Sequence, residues 1–280
     1  MSQRRASKLI SIQRSTLQYK PQPKNDEALR QRMRELAHKY RRWGSPQLHY
    51  VLKREGLVIN YKRTERIYRE ERLSLRTKRR KKRSTIRIEM PPATAPNEVW
   101  AMDFIEDRLM DGRKLKAYTL IDEYTKESLA IEIDTSFGGQ RVVQVLELVA
   151  QVHGYPKAIR SDNGPEFTGK ALFGWTDANK VTHILIDPGK PTQNPFIESF
   201  HDKFRDEFLN EHWFATIKQA RILIAEWRHT YNEFRPHSTL DGLTPSEFAR
   251  RLLIQGQFKE QNKDELQYQT AQKTQLMTGT

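Results

Sequence analysis

The chain has 280 residues, with 49 Lys/Arg, 35 Asp/Glu, no Cys and a formal net charge of +14. The absence of thiols excludes disulfides and thiolate metal sites, and no apolar run approaches the roughly 20 residues that a membrane span needs. Residues 1–90 carry 27 Lys/Arg against 8 Asp/Glu and residues 91–280 carry 22 against 27, which predicts a polyanion-binding front half, nucleic acid being the fitting polyanion, joined to a mildly acidic globular body. The opening Met1-Ser2-Gln3-Arg4-Arg5 lacks the apolar stretch of a signal peptide, so a cytoplasmic protein is expected.

In chain order, residues 1–24 read as a basic N-terminal arm. Asn25-Asp26 can cap a helix reaching about Trp43, with Leu29, Met33, Leu36, Ala37 and Tyr40 at helical spacing. Gly44-Ser45 breaks it, and a second helix runs from Pro46 to about Glu55. A third begins at Asn60 or Tyr61 and carries Lys62, Arg63, Arg66 and Arg69, which predicts DNA-binding side chains. Helices two and three resemble a helix-turn-helix, so 25–75 reads as a small all-α DNA-binding module. Residues 76–97 form a basic linker, with Arg79, Arg80, Lys81 and Lys82 as expected phosphate contacts and a Pro-rich extended end.

The periodicity then changes. Strands are predicted over 98–107, 115–124, 128–134, 157–162 and 182–187, and helices over 138–154, 168–180, 195–210 and 216–234. That order predicts an α/β core over 98–254, a mixed sheet flanked by helices. Residues 255–280 read as a polar, Gln-rich tail, partly disordered.

Three acids stand out. Asp103 interrupts the apolar strand Val99–Ile105, where a carboxylate is costly without a partner. Asp162 ends a strand before Asn163-Gly164-Pro165, a position that an ordinary turn would also explain. Glu198 lies in the first turns of a helix whose Phe196, Phe200, Phe204 and Phe208 make a core-packing stripe. At about 100° per residue Glu198 and Arg205 share a face beside that stripe, either as a carboxylate for metal with a cation for phosphate or as a solvated face. A divalent cation is the simplest common partner for three such acids, and magnesium held by few carboxylates suits phosphoryl transfer.

Together, Trp100-Ala-Met-Asp103, Ile159-Arg-Ser-Asp162-Asn-Gly-Pro-Glu-Phe167, Glu198-Ser-Phe200, the 35 residues between Asp162 and Glu198, Arg205, and Tyr231-Asn-Glu-Phe-Arg-Pro-His-Ser-Thr-Leu240 with Gly242-Leu-Thr-Pro245 resemble the Asp-Asp-Glu insertion-sequence transposases and retroviral integrases. The resemblance spans about residues 27–250. It implies an RNase H-like core and two magnesium ions, with manganese as a substitute, bridged by Asp103 and each held further by Asp162 or Glu198. It also implies cleavage at the element's ends, strand transfer of the 3′-hydroxyl into target DNA, a homo-oligomer on terminal inverted repeats, and nucleoid association when bound. The chain looks like a second-frame product, so an upstream-frame protein, or a fusion with it, is an expected partner. Two departures are visible: the zinc-binding module of retroviral integrases is absent, and Pro195 stands where a small residue is usual, at a first-turn position that tolerates it.

Other residues keep two readings each. His153, His183 and His201 are metal-shell or structural residues, and His201 sits one turn after Glu198. Asp122 is expected in a turn or at a sheet edge. Arg221, Arg228 and Arg235, spaced by seven, make either a DNA-backbone track or a solvated face. The alternatives to a transposase are a DNA-binding regulator with an inactive core and an RNase H-like nuclease.

Overall fold

The computed structural model describes residues 3–13, 15–16, 26–75, 92–187 and 193–255. Helix α1 (Gln3–Leu9) is followed by a three-helix unit, α2 (Glu27–Lys39), α3 (Ser45–Arg54) and α4 (Tyr61–Glu70). Their apolar faces meet in one small core of Leu29, Met33, Leu36, Trp43, Leu48, Leu52, Val58, Ile67 and Tyr68. A buried bond between His49 Nδ1 and Thr64 Oγ1 (2.8 Å) ties α3 to α4. The Asn60 side chain caps α4 by accepting the Lys62 N–H. Asp26 stands at the N-cap of α2 but does not cap it, because its carboxylate is drawn to α4.

The larger unit is a five-stranded sheet in the order β3-β2-β1-β4-β5. Strands β1 (Val99–Arg108), β2 (Lys114–Asp122) and β3 (Ser128–Asp134) form an antiparallel meander, and β4 (Ala158–Ser161) and β5 (Thr182–Leu185) run parallel to β1. Side chains alternate across the sheet with period two. Trp100, Met102, Tyr118 and Leu120 pack on α5 (Gly139–His153) and α6 (Lys170–Ala178). Ala101, Ile105, Ala117 and Ile121 pack under α7 (Pro195–Glu207) and α8 (Ile217–Glu233). This is the mixed sheet flanked by helices that the order of elements predicts, and the RNase H-like arrangement that the family resemblance implies. Phe200, Phe204 and Phe208 are buried as the stripe predicts, each worth roughly 1.5–3 kcal/mol of apolar burial. Helical structure resumes over 245–255.

Among the described residues the two units touch at two places. Arg42 pairs with Asp206 and lies 3.9 Å from Glu211, beside a cavity of about 480 Å³ between Lys39–Trp43 and Phe208, His212 and Trp227. On α3, Arg54 Nη2 donates to the Gly242 carbonyl (2.6 Å) and pairs with Glu247 (2.6 Å). The Tyr50 ring fills the space above Gly242, where a Cβ would lie 2.1 Å from Tyr50 Cδ1, and the glycine φ is +80°. A side chain at 242 is therefore opposed by both backbone and neighbour.

Candidate active site

Asp103 lies opposite Thr119 of β2, and Ala101 is in parallel register with Arg160 of β4. Two residues on, Asp103 is level with Asp162, which sits just past the end of β4 on the adjoining strand path. Strands in such a pair are about 4.8 Å apart. Glu198 arrives from the first turn of α7, a helix fixed over β1 by Ile197, Phe200 and Phe204. Sheet register brings the first two acids together, and the Phe stripe brings the third.

Electrostatics records this proximity. The Asp103 carboxyl is pushed up to about 6, first by burial and then by the negative charges of Asp162 and Glu198, against the pull of the Phe104 N–H and of Lys116. Its side chain is 28% exposed, and among the described residues the nearest potential cation is His201, Nδ1 3.6 Å away. That imidazole is itself pushed down to about 4 by burial and by Arg205, so it is neutral near pH 7 and gives Asp103 no countercharge. His201 Nε2 lies 2.7 Å from the Thr119 hydroxyl, which donates to the Asp103 carbonyl (3.0 Å). His201 is thus lodged against Asp103 and its cross-strand neighbour.

Asp162 Oδ1 accepts the Gly164 N–H (3.0 Å), closing the turn that presents the carboxylate. A Cβ built on Gly164 would lie 3.1 Å from both Asp162 Oδ1 and Glu166 Oε2, so these two oxygens flank one glycine. Glu166 is paired with Lys116, whose ammonium sits 4.1 Å over the Phe104 ring. This pair at the edge of the acidic site is absent from the residues predicted above. Its signal was available: Lys116 alternates with Tyr118 and Leu120 on a buried strand face, where a lysine needs an acid.

Three hard oxygen donors without a lysine or arginine in contact with Asp103 fit a divalent cation by chemistry. Among the described residues no three His, Asp or Glu side chains close into a ready-made metal cage. The acids form an open cluster.

The expected DNA contacts fare differently. Arg205 is exposed and donates to the Glu106 carbonyl (3.3 Å), on the same side of α7 as Glu198 and His201. Lys62 and Arg69 are exposed, Arg69 pairing with Glu65. Arg63 and Arg66 instead grip the buried carboxylate of Asp26 at 2.6 and 2.5 Å, so much of their charge is spent inside the module. Lys62, Arg63, Arg66 and Asn60 line an open hollow of about 610 Å³. Arg79, Arg80, Lys81 and Lys82 lie outside the described residues. The reading of Arg221, Arg228 and Arg235 as a DNA track or solvated face is corrected for Arg228 and Arg235, which are turned inward, while Arg221 stays exposed beside Asp134. Arg221 donates to the Ile133 carbonyl, Arg228 to those of Ser128 and Leu129, and Arg235 clasps Glu207. Asp122 ends β2 and braces the turn after it, accepting the N–H groups of Asn97, Tyr124 and Thr125, and His183 bonds Ser161.

Comparison with known proteins agrees with the fold. Two integrase core domain families match residues 93–191 and 179–245, and an HTH-like domain family matches 24–83. The class is therefore an integrase-core protein with an N-terminal helix-turn-helix unit. A 31.7 kDa protein of insertion element IS407 from Burkholderia multivorans is 50% identical over 255 residues, covering 90% of this chain and 91% of that protein. A 39.2 kDa protein of IS476 from Xanthomonas euvesicatoria is 44% identical, covering 89% and 72%. InsK, the candidate transposase of IS150 in Escherichia coli K12, is 25% identical over 86% and 90%. The catalytic core of HTLV-2 integrase with magnesium overlays with a TM-score of 0.44 at 14% identity, over 55% of this chain and 96% of that one. The chain belongs to the insertion-sequence transposases with a retroviral-integrase-like core. Among the described residues no helix is long and apolar enough to cross a membrane.

Proposed function

We propose that this transposase cleaves DNA at the ends of its insertion sequence and joins the freed 3′-hydroxyl to target DNA, with Asp103, Asp162 and Glu198 as its catalytic, metal-binding acids. The observation that carries the reading is the half-buried Asp103 carboxyl on β1, with two further carboxylates from different elements close enough to disfavour its charge. Three carboxylates gathered from β1, the turn after β4 and the first turn of α7 are matched to a divalent metal and a phosphodiester. Magnesium bound to these oxygens would supply activation of the attacking oxygen and stabilisation of the leaving one, with two ions the expected complement.

The chain's own groups do the rest. Asp103, fixed by strand register, and Asp162, fixed by its turn, set the carboxylates on one edge, and α7 carries Glu198 to them. Arg205 faces outward two turns along, where a guanidinium can take a phosphate of the same strand. His201, neutral and wedged between Thr119 and Asp103, limits the rotamers of that acid. Displacement at phosphorus needs such positioning rather than a covalent enzyme group. The α2–α4 unit supplies DNA binding, and two DNA ends call for more than one copy of the chain. An upstream-frame partner and association with the nucleoid belong to the same reading.

Purified chain with magnesium and duplexes bearing the element's ends should yield both nicked and joined products. Asp162→Asn and Glu198→Gln should each lower both by 100-fold or more, in the range expected when a group that acts only in the transition state is lost. Undiminished joining by either variant would remove that acid from the mechanism. Nicking of an RNA–DNA hybrid without joining would make the chain a nuclease.

A further inference from the structure

The surface between the acidic site and the helix-turn-helix unit carries one side chain that neither unit accounts for. The chain has five tryptophans. Trp43, Trp100 and Trp175 are 4%, 0% and 7% exposed, and Trp227 is half-buried, but Trp213 is 85% exposed. It is not on a loose loop. Phe214 beside it is buried against Phe208, with ring centroids 5.5 Å apart. His212 on its other side packs on the same Phe208 ring (4.6 Å) and bonds the Phe208 carbonyl through Nδ1 (2.9 Å). The Met110 N–H at the tip of the β1–β2 hairpin donates to the Phe214 carbonyl (2.9 Å), and the Met110 side chain is also exposed. Two anchored neighbours in an extended stretch leave the indole facing outward, an arrangement that costs apolar burial and gains nothing among the described residues.

Its position is informative. Along β1, at roughly 3.3 Å per residue, the hairpin tip lies about 20 Å from Asp103. Arg205, touching the Glu106 carbonyl, falls between them. On the other side, residues 206–211 receive Arg42 from the end of α2. The acids, Arg205, Trp213 and the helix-turn-helix unit thus follow one another across the surface. A duplex spanning both units would run past this stretch.

We propose that Trp213, with Met110 beside it, is a nucleobase-stacking wedge that engages a base of the bound DNA displaced from its regular stack. Every base has a π-face, so such a contact is sequence-tolerant, and an apolar side chain inserted at a base step bends the duplex. The inference rests on the DNA-processing role above and adds a residue to it.

Intrinsic fluorescence tests it, since Trp213 is the strongly exposed tryptophan. Titration of the full chain with a mixed-sequence duplex should quench its emission. Trp213→Ala should lose that quenching and bind roughly ten-fold more weakly at the same salt, with an unchanged melting temperature. Trp213→Phe should keep most of the affinity without the signal. Duplexes with a single mismatch stepped along one strand should bind the wild type more tightly at one position, where unstacking is cheaper, and Trp213→Ala should show no such position. Unchanged emission at saturating DNA, or equal affinity of Trp213→Ala, would overturn the proposal. So would a shift of Trp213→Ala from oligomer to monomer in DNA-free sedimentation, which would assign the indole to a protein interface. A wild type that binds no DNA removes the DNA-processing role itself, whereas intact, salt-sensitive binding that ignores Trp213 removes only the wedge.

Discussion

Asp103 carries a charge that its surroundings resist. A carboxyl near 6 in the folded chain, against an ordinary 3.8, holds its proton more tightly when folded than when unfolded. Folding is therefore penalised in full above about pH 6, and the penalty fades as pH falls through 6 toward 3.8. Asp103→Asn should raise stability at neutral pH by up to about 3 kcal/mol, with the gain gone by about pH 4, while strand cleavage is lost. Thermal melts of the metal-free protein across that pH range, beside a cleavage assay, would check both. An Asn at 103 that melts no higher at neutral pH would mean that the three acids do not repel one another as described. The oddity of Asp103 was legible in the sequence because its neighbours are apolar. The neutrality of His201 was not, since it depends first on burial against β1 and β2, and Arg205 one turn further along the helix only adds to it.

At the scale of elements, β4 supplies Asp162 from a strand only four residues long. Its footing includes the buried pair Arg160–Glu123, 2.6 Å apart and 3% and 0% exposed, with burial pushing the Glu123 carboxyl up to about 7. Removing one partner leaves the other charge unpaired in the core. Glu123→Ala should cost about 3–5 kcal/mol in denaturant melts, and Glu123→Leu with Arg160→Met should recover most of it. A single variant no less stable than the double one would show that the pair is not a coupled unit. Strand and helix order could be read from hydrophobic periodicity because each element buries one regular face. The uses of Arg160, Arg221, Arg228 and Arg235 could not. Guanidinium groups spaced by seven read as a charged track, yet these reach carbonyls and carboxylates of strands or helices far away in sequence. Arg63 and Arg66 are similar, since only the folded module shows that Asp26 lies between them.

For the whole molecule, the helix-turn-helix unit is joined to the catalytic unit by small, polar footholds. Arg54 takes the Gly242 carbonyl and Glu247, Tyr50 covers Gly242, and Arg42 reaches Asp206. Gly242→Ala should drive the Tyr50 ring off its seat and loosen this joint. Cleavage of DNA ends should fall several-fold while global melting changes by less than about 2 kcal/mol, because the cores of the two units are untouched. Limited proteolysis would read the loosening directly, and an unchanged digestion pattern with unchanged end cleavage would show that the joint does not matter for catalysis. The sequence pointed to two units from its charge asymmetry, but a glycine in a turn gave no hint that a tyrosine from the other unit rests on it. The same fit constrains transplantation. A chimaera in which 26–75 is exchanged for a foreign reader of DNA will stand on this scaffold only if the newcomer's helix brings an aromatic ring to Gly242 and a guanidinium to its carbonyl. A graft chosen for its sequence preference alone would swing free of the scissile phosphate it was meant to deliver.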